Sequence, residues 1–149
     1  RMRPDRIIVG EVRSAEAIDM LQALNTGHDG SLSTGHANSP KDMLSRLETM
    51  VLMGMELPLP AIQRQIASGI DIIVHLGRLR DKSRKVLEVV EVLDYKDGEI
   101  KLQTLIQYQE MEEQDGMIIG EWRDVHELSH RQKLEASGYQ KKRMGIDDN

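Results

Sequence analysis

The sequence predicts an α/β first half followed by an antiparallel β-meander and a C-terminal helix. Three observations carry that expectation. A short all-apolar run, Ile7-Ile8-Val9, is followed by segments whose apolar residues recur at helical spacing, the order of a parallel sheet flanked by helices. Three later β-rich runs are joined by Asp81-Lys82-Ser83 and Lys96-Asp97-Gly98, which is hairpin chemistry. The first half offers only two strand candidates, too few for a stable doubly wound sheet, so that sheet is expected to be incomplete. A chain that opens Arg1-Met2-Arg3-Pro4 is accordingly expected to be cut from something longer.

Taken in order, residues 6–10 read Arg-Ile-Ile-Val-Gly, a run that suits a buried parallel strand. Ser14 is placed to cap the next helix, whose apolar side carries Ala17, Ile18, Leu21 and Leu24, with Gly27 as its stop. Ser31-Leu32-Ser33-Thr34 is the second strand candidate. Ser39-Pro40 opens another helix, with Ser39 as N-cap, Pro40 in the first helical position and Asp42 three residues past the cap. Met43, Leu44, Leu47, Met50 and Val51 follow helical spacing along it. Pro58 and Pro60 break that helix, and Pro60 opens a shorter one carrying Ile62 and Ile66 towards Gly69. Residues 70–76, 85–93 and 99–107 then read as the meander, with a weaker strand over 117–122. Residues 125–137 read as helical, ending at Gly138, and the last residues are expected to be loose.

Composition narrows the function classes. At 149 residues, with 39% hydrophobic and 30% charged, the chain is the size and make-up of one globular domain. Phe is absent and Trp occurs once, so Ile, Leu, Val and the nine Met must build the core. The absence of Cys excludes disulfides and thiolate metal sites, and fits a reducing compartment. No apolar run approaches the roughly 18 residues of a membrane-spanning helix. A net charge of −5 argues against direct nucleic-acid binding, which needs a basic patch. The one basic cluster, Lys141-Lys142-Arg143, precedes Asp147-Asp148 and reads as a solvated tail.

Glu11 carries the functional argument. It follows Ile7-Ile8-Val9-Gly10, at the C-terminal end of a predicted strand, the edge of an open α/β sheet where ligands sit. A carboxylate there can hold Mg²⁺ through water or orient an attacking water. Many strands end in Glu, so by itself the residue is a weak signal.

The surrounding blocks are specific. Residues 3–13, Arg-Pro-Asp-Arg-Ile-Ile-Val-Gly-Glu-Val-Arg, resemble the Walker B region of the type II/type IV secretion ATPases. Residues 20–31 are also similar to that family, and Ser33-Thr34-Gly35-His36-Ala37-Asn38-Ser39-Pro40 resembles its histidine box. The match is best to the CpaF-like branch that serves tight-adherence (Flp-type) pili, and fades after about residue 110. The resemblance implies a RecA-like P-loop NTPase domain in a homo-hexameric ring that hydrolyses ATP with Mg²⁺. It further implies an inner-membrane platform protein as partner and a cytoplasmic place at the inner face of the cell membrane. Carried over by position, Glu11 is the catalytic carboxylate and His36 lies near the γ-phosphate. Arg13 stabilises charge or organises the ring, with Arg3, Thr34 and His28 as further nucleotide-binding or interface residues. Arg1, Arg78 and Arg80 are weaker candidates of the same kind. Residues 1–69 then form the C-terminal half of the motor core, 70–110 a meander of the same domain, and 111–149 an extension.

Two departures bear on activity. No Gly is followed by Lys, so the phosphate-cradling Gly-Lys-Ser/Thr loop is missing, and so is the family's acidic box. The chain by itself is therefore expected to be inactive. A non-catalytic ring-assembly or docking module is the alternative. His126-Glu127-Leu128-Ser129-His130 matches the zinc-protease pattern, which needs both His on one helix face. It lacks a third ligand at a recognised spacing and has charged flanks, Asp124 and Arg131, so no zinc is expected. His28, His36, Asp29 and Glu11 form a further but weaker metal candidate; His75 reads as a sheet residue and the Met-rich helix as core filler.

Overall fold

The computed structural model describes residues 2–139. Arg1, the Lys141-Lys142-Arg143 cluster and the expected loose tail lie outside the described residues. The elements are β1 (Ile8–Val9), α1 (Ala17–Asn25), β2 (Leu32–Ser33), α2 (Pro40–Gly54), α3 (Leu59–Gly69), β3 (Ile72–Arg78), β4 (Arg84–Lys96), β5 (Glu99–Gln114), β6 (Met117–Asp124) and α4 (Gln132–Ala136). They form a mixed α/β fold: β1 and β2 make a small parallel pair, and β3-β4-β5-β6 a separate antiparallel meander.

The parallel pairing is as expected, with Ile8 opposite Leu32 and Val9 opposite Ser33. The expected burial is not. Ile8 is 75% and Leu32 64% exposed. Successive strand side chains point to opposite faces, so Val9 packs against the helical core while Ile8 turns to solvent.

Ser14 does not cap α1. The helix starts at Ala17 without a side-chain cap, because the Glu16 carboxylate accepts the backbone N–H groups of Arg13 (2.7 Å) and Ser14 (3.1 Å). Gly27 ends the segment as expected, at φ +85°, where a side chain would be strained. At α2, Ser39 Oγ accepts the Asp42 N–H at 3.0 Å, and the Asp42 carboxylate accepts the Asn38 N–H at 3.1 Å. Pro58, fixed at φ −58°, stands at the N-cap of α3. Ile62 and Ile66, one turn apart and both fully buried, then point α3 into the core beside Leu21, Leu47 and Val51. Burying one such side chain is worth about 1.5–3 kcal/mol.

Ile73, Ile100 and Leu102 bring the meander onto that core. Asp97 (φ +54°) and Gly98 (φ +80°) turn β4 into β5, and Asp115 (φ +52°) and Gly116 (φ +74°) turn β5 into β6. β5 runs on to Gln114, well past residue 107, and β6 ends at Asp124.

The expected helix over 125–137 is mostly absent. Only Gln132–Ala136 is helical, and residues 125–131 run over the sheet as an irregular strap. The cause is Glu91 on β4, 1% exposed, whose carboxylate accepts the N–H groups of Ser129 (2.9 Å) and His130 (2.8 Å). Those amides cannot also serve a helix, and a buried carboxylate without such donors would be costly. Among the described residues no helix is long and apolar enough to cross a membrane.

Candidate functional site

Glu11 leaves the C-terminal end of β1 beside the loop that follows β2. Its Oε1 meets His36 Nε2 at 2.9 Å, and its Oε2 meets the Arg13 guanidinium at 2.5 Å. Glu11 is held below the usual carboxylate range, first by the hydrogen bond from Arg13 and then by the charges of Arg13 and His36, which together outweigh the desolvation cost. The group is therefore an anion at neutral pH. The site is open: the Glu11 side chain is 21% exposed, against 83% for His36 and 76% for Arg13.

Strand β2 is pinned at both ends. Thr34 accepts the Val12 N–H through its carbonyl at 2.9 Å and donates its hydroxyl to the Gly10 carbonyl. At the other end Ser31 Oγ accepts the Ile7 N–H at 2.8 Å and donates to the His28 carbonyl at 2.7 Å. A cleft of about 400 Å³ opens next to His36, between the start of α2 and β3, lined among others by Met43, His75, Arg78 and Arg84.

The fold thus brings Glu11, Arg13, Thr34 and His36 together and leaves the other candidates apart. His28 Nδ1 is bonded to the Ala23 carbonyl at 3.1 Å, at the end of α1. Arg3 is exposed ahead of β1 with φ +47°. Arg80 is paired with Glu110 and Glu113 on β5, while Arg78 lines the cleft and donates to the Lys82 carbonyl at 3.2 Å. His75 lies opposite Glu88 across the β3–β4 ladder at 3.3 Å. His126 and His130 are in the irregular strap, so the helical geometry that a zinc-protease pattern requires is not present. Among the described residues no group of three or more His, Cys, Asp or Glu could hold a metal ion. Sequence reasoning missed Glu16, which bonds the backbone next to Arg13; its spacing from Arg13 carries no signal outside a helix.

The family model for "Type II/IV secretion system protein" matches residues 1–114. The chain belongs to that family. It is 42% identical over 105 residues to a Mycobacterium tuberculosis (strain ATCC 25618 / H37Rv) protein named for conjugal transfer, covering 70% of this chain and 29% of that protein. It is 38% identical over 101 residues to the type IV secretion system protein PtlH of Bordetella pertussis, covering 66% of this chain and 29% of that one. Among solved structures it is similar to the VirB11 ATPase of the Brucella suis type IV secretion system, crystallised with sulphate: TM-score 0.56, 36% identity, 60% of this chain and 28% of that chain. This secretion-family chain therefore spans about 30% of the length of the curated relatives it matches.

Proposed function

We propose that the chain is the part of a secretion or pilus-assembly ATPase motor that carries its catalytic carboxylate. The observation behind this is the Glu11–His36 contact at 2.9 Å, at the C-terminal ends of two parallel strands. Phosphoryl transfer asks a protein chiefly for positioning and charge stabilisation. Glu11 orients the attacking water; because Arg13 keeps its carboxylate a weak base, orientation and charge outweigh proton abstraction. His36, in contact with Glu11, lies on the γ-phosphate side of the site, and Arg13 offsets developing negative charge or contacts the neighbouring subunit. His28, Thr34 and Arg3 flank that site.

The residues fit Mg-ATP only in part. Glu11 suits a water-mediated position for Mg²⁺, whereas the phosphate cradle, with its Lys, has no counterpart in a sequence where no Gly precedes Lys. Bound Mg-ATP supplies the phosphoryl group and neutralises charge on it. These 149 residues alone accordingly do not hydrolyse ATP, and measurable Mg-ATP turnover by the purified chain would overturn that statement.

In the parent protein residues 1–69 complete a RecA-like core, with 70–110 as its meander and 111–149 as an extension. The parent is a homo-hexamer on the cytoplasmic face of the cell membrane, working on an inner-membrane platform protein without direct nucleic-acid contact. The CpaF-like motifs favour tight-adherence pili; the relatives named for conjugal transfer and type IV secretion point to the same class of motor. A second reading, a docking or ring-assembly module without catalysis, is favoured by exposed apolar side chains at Ile8, Leu32, Val74 and Leu76. Steady-state ATPase of the parent, wild type against Glu11→Gln, separates the two. The motor reading expects a fall of about 10²–10⁴-fold with nucleotide binding retained, and an unchanged rate removes Glu11 from the chemistry.

A further inference from the structure

Strand pairing between β1 and β2 ends at Val9 and Ser33, short of Glu11 on one strand and of His36 on the other. Beyond it, Thr34 bonds both peptide groups that flank Glu11: its carbonyl takes the Val12 N–H at 2.9 Å, and its hydroxyl reaches the Gly10 carbonyl. Val12 is buried, 3% exposed, so that bond anchors one side of Glu11 to the core. Gly10 has no side chain to anchor the other side. A Cβ built on it meets nothing within 4 Å, so no side-chain packing fixes it, and its carbonyl takes the Thr34 hydroxyl. The turn carrying Thr34 is itself seated closely, because a Cβ at Gly35 would lie 2.7 Å from the Met43 methyl. His36 follows on the same turn and reaches Glu11.

We infer that Thr34 is a positioning residue, which sets the Glu11 carboxylate against the His36 imidazole by bonding the backbone on both sides of Glu11. The inference rests on the reading of Glu11 and His36 as the site, and it reassigns Thr34 from touching nucleotide to holding the pair. Thr34→Val keeps the shape and the carbonyl bond and deletes only the hydroxyl. Thr34→Ser keeps the hydroxyl.

The test is the NMR signal of the His36 ring in the 149-residue chain at fixed pH, with and without Glu11→Gln. In the wild type, Glu11→Gln removes the carboxylate partner and moves the ring resonances. With Thr34→Val the response to Glu11→Gln is expected to fall to less than about half, and with Thr34→Ser to stay at the wild-type size. A second hydroxyl deletion, Thr34→Ala, is read the same way if Thr34→Val disturbs the amide spectrum elsewhere. A full wild-type response in both hydroxyl-deletion variants overturns the inference. In the parent enzyme the expected cost of Thr34→Val is a loss of about tenfold in kcat at unchanged KM, since small misplacement of a reacting group is costly. Uncoupling by NMR with no ATPase effect from either Thr34→Val or Glu11→Gln would keep Thr34 as a positioning residue and remove the hydrolytic reading. Loss of turnover in Glu11→Gln with an intact ring response in Thr34→Val would do the reverse.

Discussion

The two ends of this chain handle their key carboxylates in opposite ways. Glu11 stands in an open site, held by the Arg13 guanidinium and touched by the His36 imidazole, both of them mostly exposed. Glu91 is shut inside, 1% exposed, and bonded by backbone amides of the strap. Charge partners that can move apart leave a group free to meet a ligand, whereas backbone amides bonded to a buried carboxylate fix a fold and leave nothing free. The contrast predicts that substitutions at Glu11 cost activity and little stability, and those around Glu91 the reverse.

The sharpest test lies in the core that both ends share. Ile62→Ala removes a fully buried side chain and is expected to cost about 2–5 kcal/mol in urea unfolding; a smaller loss would mean that α3 is not the keystone between helices and sheet. Next comes Glu91→Ala, which strands the Ser129 and His130 amides. Those bonds tie an exposed segment to the sheet, so the strap should open first, seen as faster hydrogen exchange over residues 125–131. Exchange unchanged in that segment would break the comparison, because the strap would then be held by something else.

A third prediction concerns acid. Asp81, in the β3–β4 turn, is lowered from 3.8 to about 2, first by the Ser83 hydroxyl and then by the amides of Ile118 and Ser83. A folded-state value below the ordinary one means that its contribution to stability is present above pH 3.8 and is lost as pH falls towards about 2. Asp81→Asn should therefore flatten the acid limb of the stability curve in that window, and an unaltered limb would remove Asp81 as a tie between the two hairpins. The smallest effect is expected at the open site: Glu11→Gln should leave the thermal midpoint unchanged, since exposed ion pairs contribute little. A clear drop there would show that the site also supports the fold.

Much of this was legible beforehand. Ser39-Pro40 with Asp42, the break at Pro58 and Pro60, the stop at Gly27 and the Asp97-Gly98 turn each act within a few residues, through capping bonds or backbone angles that the local sequence dictates. Asp115-Gly116 carried the same turn signal and would have placed the ends of β5 and β6. The specific motif blocks pointed to the family and to Glu11 and His36 together.

What the sequence by itself determined, then, is the order of elements, their caps and turns, and which residue types stand at the strand ends. Tertiary structure decided the rest. Glu11 and His36 meet because β2 pairs parallel to β1, and residues 125–131 stay out of the helix because Glu91, on a strand far earlier in the chain, takes the amides at 129 and 130. Ile8 faces solvent although its neighbours are apolar. Local propensity acts over a turn or two of chain, and a buried carboxylate or a strand partner acts across tens of residues with enough free energy to override it.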